Sequence, residues 1–178
     1  MWRVRVWDPS RIFGVTIVKW AAVFAGALTT LAMMGCSGGP SPDALAQKVL
    51  EAPTPEEQDR AAIALADLGV PALPQIRELA ANPKTPLPVK LRMMDAVVGA
   101  RDWDSMPTLL DAMESESIEI RGRAAGSVMR MLGATFQFPV DGSVQSRQRA
   151  LQAIRAEYEK MNQNPPPGYH TAKRAAGS

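Results

Sequence analysis

From residue 55 onward the apolar positions recur every three to four residues rather than every second one. They fall at Ala61, Ala62, Leu65 and Leu68; at Leu73, Ile76 and Leu79; at Val89, Met93, Met94 and Val97; at Met106, Leu109, Leu110 and Met113; and at Ile120, Ala124, Val128, Met131 and Leu132. Each group covers one face of a 3.6-residue helix, which predicts helices over 55–68, 71–81, 88–99, 105–113 and 118–132. A sixth follows over 144–161, with Ala150, Leu151, Ile154 and Tyr158 on its apolar face. No segment sustains the alternation of a half-buried strand, so the expected fold class is all-α. Start signals agree: Thr54 with Glu57 three residues later is a capping box, Pro55 suits a first helical position, and Ser117 and Asp104 are placed to cap the fifth and fourth helices. Gly69 is a natural stop.

The helices repeat. Arg60-Ala61-Ala62, Arg92-Met93-Met94 and Arg123-Ala124-Ala125 align with Arg60, Arg92 and Arg123 in register, and Ala72-Leu73-Pro74 aligns with Ser105-Met106-Pro107. A unit of two helices at this period cannot bury both its apolar faces alone and has to stack on its neighbours. With its Leu68-Gly69 and Leu132-Gly133 helix ends and its Asp102–Asp104 turn, the pattern resembles the HEAT-repeat family, in its short bacterial form related to phycobilisome-lyase repeats. The resemblance implies a short α-solenoid of about three two-helix repeats over 55–161, acting through its surface as a protein-binding or scaffold module. The middle unit departs from the pattern, with Met93-Met94 in place of the alanine pair and Ala100 in place of the final glycine.

Outside the repeat the periodicity fades. Residues 37–54 read as a Gly/Ser/Pro tether with room for a short helix near 42–50, and 162–178, with its Pro165–Pro167 run, reads as a disordered tail. The connection 134–143 carries Phe136 and Phe138, which two-residue spacing places on one side of an extended segment. Either they pack on the last helices as a cap, or they line a partner site.

At the N-terminus the pattern changes to a continuous apolar run. Residues 20–35 carry no charge, and Arg3, Arg5, Arg11 and Lys19 precede them against the single acid Asp8, the layout of an export signal. The run is short for a membrane span, although a tilted helix beginning near Ile12 would reach across. Met33-Met34-Gly35-Cys36 resembles the lipobox of bacterial lipoprotein signal peptides, which implies cleavage before Cys36 and lipid attachment to it. The alternatives are secretion after ordinary cleavage and an uncleaved N-terminal anchor. The expectation is therefore a signal or anchor over 1–36 and a lipid-anchored protein of the bacterial cell envelope.

This boundary also explains the charge. Of 20 Lys and Arg and 18 Asp and Glu, four bases and one acid lie in 1–36, leaving 16 against 17. The mature part is near neutral, which removes the basic footprint a nucleic-acid partner requires. With one cysteine there is no internal disulfide. The one histidine, His170, lies in the expected tail, and neither a Cys/His metal cluster nor a glycine-rich phosphate loop is present in the sequence. The expectation is a protein without catalytic residues, metal or cofactor. The candidates for an unidentified protein partner are Trp103, Arg60, Arg92, Arg123, Phe136 and Phe138. The carboxylates around Trp103 and at Glu114, Glu116 and Glu119 lack the spacing of a calcium loop and are expected to serve as caps. The competing reading is a structural assembly subunit without a ligand of its own; a lyase-related accessory role is a third.

Overall fold

The computed structural model describes residues 39–171, so the expected signal or anchor over 1–36, Cys36 included, and the residues after 171 lie outside it. Within those bounds the chain forms seven α-helices: α1 (Pro42–Glu51), α2 (Pro55–Asp67), α3 (Leu73–Ala81), α4 (Leu87–Gly99), α5 (Met106–Ala112), α6 (Ile118–Leu132) and α7 (Val144–Asn162). The protein is all-α, and among the described residues the nearest thing to a strand is an isolated bridge between Asp102 and His170. No helix among them is long and apolar enough to cross a membrane.

Local chemistry explains where the helices begin and end. Thr54 Oγ1 accepts from the Glu57 amide at 3.2 Å, and Ser41, Ser117 and Ser143 cap α1, α6 and α7 in the same way. Proline occupies an early helical position in α1 to α5, where its missing N–H costs nothing. Gly69 and Gly133 leave their helices with φ of 64° and 63°, a conformation open to glycine without steric cost. Asp104 does not cap α5. Ser105 holds that place without a side-chain bond, and Asp104 turns to Arg77 instead.

Packing sets the helices in two rows. α1 lies on α2, α3 on α4 and α5 on α6; α2, α4 and α6 are successive neighbours in one row and α1, α3 and α5 in the other. The core between them is built from Leu65, Ile76, Leu79, Met93, Val97, Met106, Leu109, Val128 and Met131, all at most 2 % exposed. At roughly 1.5–3 kcal/mol for each large apolar side chain removed from water, this seam dominates the favourable side of folding.

Two boundaries differ from the sequence expectation. Residues 42–51 belong to the domain rather than to a tether, because Leu45 and Val49, one helical turn apart, are buried against α2 and α3. The helices consequently pair one step earlier than the repeat alignment implied, with α1 rather than α3 as the close partner of α2. At the other end the chain beyond α7 packs back as far as Thr171, because Tyr169 finds both an aromatic neighbour and a carbonyl for its hydroxyl.

Candidate functional site

The in-register arginines sit on the row of α2, α4 and α6. Arg92 on α4 donates to Asp59 on α2 at 2.7 Å, and Arg123 on α6 donates to Asp95 on α4 at 2.8 Å, with Arg130 joining Asp95 at 3.1 Å. These arginines tie successive units together. Arg60, in the first unit, is exposed. All the paired groups are part-exposed, so each bridge contributes at most about 1 kcal/mol. Arg92 and Arg123 are thus engaged by their own chain and do not form an open ladder.

The Trp103 turn is a structural junction. Arg101 enters it with φ of 50° and Asp102 follows with no exposed surface. A buried carboxylate needs partners for both oxygens. Arg77 from α3 supplies a forked pair of hydrogen bonds, Ser105 donates a third, and Arg77 also reaches Asp104 at 3.2 Å. Hydrogen bonding to the Asp102 carboxylate holds the Arg77 guanidinium above its ordinary pKa, against the opposing effect of burial. Trp103 is 1 % exposed. Its ring lies 5.6 Å from that of Tyr158 and 5.3 Å, edge-on, from that of Tyr169, while Nε1–H donates to Asn162 Oδ1 at 2.9 Å. Trp103 therefore covers the end of the stack and does not project as an anchor.

Phe136 and Phe138 present a different arrangement. The segment between Gly133 and Ser143 crosses α6 and is clamped there by Arg121, whose guanidinium donates to the carbonyls of Val140, Ser115 and Glu116 at 2.9, 2.7 and 2.8 Å. Both phenylalanines pack partly against the core and both line one cleft of about 650 Å³ between α6, the segment and α7. Its floor is α6 at Gly122, Ala125, Gly126 and Met129; Gln137, Pro139 and Val140 of the segment and Ser146 and Ala150 of α7 complete it. Nothing fills the space above Gly126, where an added Cβ would meet no atom within 4 Å. Phe138 also borders a second hollow of about 200 Å³ with Met113, Leu151 and Arg147. The large cleft has no charged side chain on its lining, and beside its apolar residues it offers a ligand the polar side chains of Gln137 and Ser146.

Two parts of this site were missed by the sequence reading. Arg121 is 8 % exposed and fixes the cleft's outer wall, yet in sequence it stood as one more charge two residues before Arg123. The Gly122-to-Gly126 spacing, one helical turn on α6, was the available signal for a bare helix face. His170 has an exposed side chain and contributes its backbone to the Trp103 turn. Among the described residues no three His, Cys, Asp or Glu side chains gather as a metal site. Comparison with known proteins finds no matching family model, no matching curated protein and no matching solved structure.

Proposed function

We propose that the chain is a non-catalytic protein-binding module of the bacterial cell envelope, built as a short HEAT-like α-solenoid and tethered through lipid on Cys36. Three helix pairs, α1/α2, α3/α4 and α5/α6, are its repeats, and α7 with the 133–143 segment is its terminal cap. The contacts along the two rows support this reading, since each pair touches the next and more distant pairs meet little. Two of the aligned arginines, Arg92 and Arg123, support it too, because they join successive repeats.

The observation that carries the binding role is the uncharged cleft lined by Phe136 and Phe138. An open, uncharged groove with aromatic walls, a glycine-bearing floor and the polar side chains of Gln137 and Ser146 on its lining suits a mixed apolar and polar segment of a protein partner, whose burial supplies the affinity. A photoreactive residue at the exposed Gln137, on the rim of this cleft, tests it in native membranes. The expected product is an adduct with a different polypeptide. Adducts only between copies of this chain would instead favour an assembly subunit, and no adduct at all would remove the cleft from consideration.

A further inference from the structure

Residues 163–171 follow α7 as a strap with neither helix nor extended ladder of its own, yet its outer half is held by backbone and side chain together. The Trp103 amide donates to the His170 carbonyl and the His170 amide donates to the Arg101 carbonyl, each at 2.9 Å, so the strap adds in parallel to the 101–103 turn as a short strand adds to an edge. One residue earlier, Tyr169 sets its ring edge-on against Trp103 and donates its hydroxyl to the Met131 carbonyl at 2.7 Å. Gly168, at φ 85°, makes the turn that brings Tyr169 down, and a side chain there would press on Arg101. Backbone pairing beside one aromatic anchor is how an extended peptide is recognised by a separate protein.

The joint that delivers the strap differs in character from the seat that receives it. Gln163 and Asn164 are exposed, three prolines follow, and no residue of 163–171 reaches the burial of the core. The strap is joined to α7 through these exposed residues. Every contact it makes is reproduced when an identical chain supplies it, and exchange of this kind costs little beyond the change in chain entropy.

We propose that the Trp103 seat is a peptide-binding site for this strap, and that a second copy of the chain fills it, Tyr169 of each molecule docking on Trp103 of the other. The inference is independent of the Phe136–Phe138 cleft. The test uses two full-length variants carrying different tags. Trp103→Ala has an intact strap and no seat; Tyr169→Ala has an intact seat and no anchor. The mixed pair is expected to co-recover about tenfold better than either variant with itself, and a synthetic peptide of residues 163–171 is expected to abolish that recovery. Mixed recovery equal to that of the self pairs, with helicity retained in both variants, overturns the proposal; so does recovery that the peptide leaves unchanged. Should Trp103→Ala lose its helicity, hydrogen exchange on the wild-type chain decides. The Trp103 and His170 amides are expected to exchange together and about tenfold faster than those of Val128 and Met131, whereas equal rates mean that the strap never opens alone and the proposal fails.

Discussion

Asp102 and Arg77 form an unequal pair, and the inequality has a measurable consequence. The carboxylate has no contact with solvent, while the Arg77 side chain retains about a third of its exposure and can reach water when its partner is gone. Removing the arginine strands a buried charge, so Arg77→Ala is expected to cost about 3–5 kcal/mol in urea unfolding. Asp102→Asn keeps a polar group for Ser105 and is expected to cost less than Arg77→Ala. The reverse order would show that the buried carboxylate is not what Arg77 stabilises. Tyr158 supplies a second residue-scale test. Burial foremost, and then the negative charge of Asp104, raise its pKa in the folded protein. A group raised on folding contributes stability that is fully present below its unfolded pKa, about 10 for tyrosine, and is lost as pH climbs through the folded value. Tyr158→Phe keeps the ring on Trp103 and removes the titration, so its melting temperature is expected to fall less steeply above pH 10 than that of the wild type. Identical slopes would dissociate Tyr158 from the alkaline transition. Little of this was legible beforehand. The Asp-Trp-Asp turn stood out in the sequence, but its partner Arg77 lies 25 residues earlier with nothing periodic to connect them.

Among the elements, α1 and the 133–143 segment bear most on the account. α1 is short and follows a Gly/Pro-rich stretch, and its apolar face amounts to Leu45 and Val49 alone. Such a helix acquires its stability from α2 and α3, so sequence periodicity could indicate its presence without indicating that it belongs to the core. Val49→Ala is expected to cost about 2 kcal/mol in thermal or urea unfolding, whereas Leu50→Ala, at a position 42 % exposed, is expected to cost under about 1 kcal/mol. Equal effects would return α1 to the status of a tether. The two-residue spacing of Phe136 and Phe138 is a local property of the 133–143 segment, and both side chains line one cleft. The segment's anchorage to Arg121 was not legible, since the carbonyls of Ser115 and Glu116 and that of Val140, from two separate connections, converge only once α6 is in place. Arg121→Ala removes the clamp and is expected to slacken the segment, seen as faster proteolysis near Gln137 with helicity nearly unchanged.

At the scale of the molecule, the rows of helices follow from a period in the chain, and the period was the most legible feature of all. Amphipathic spacing marked α2 to α7, and aligned arginines showed that the units recur. The phase was harder, because alignment compares units with each other and says nothing of which helix packs on which. The burial of Trp103 was likewise decided by α7 and the strap, both far along the chain. The binding role we propose rests on the cleft between α6 and α7, and Gly126 at its floor permits a test in which folding and binding move separately. Glycine inside a helix costs about 0.5–1 kcal/mol relative to alanine, and the space above Gly126 is open. The most direct measurement compares full-length wild type and Gly126→Arg in native membranes, scoring both thermal melting and the adduct captured from Gln137. The expected result is a melting temperature equal to or above that of the wild type with the adduct lost. An undiminished adduct on an intact fold would contradict the account, because a charged side chain would then occupy the cleft without disturbing what binds there.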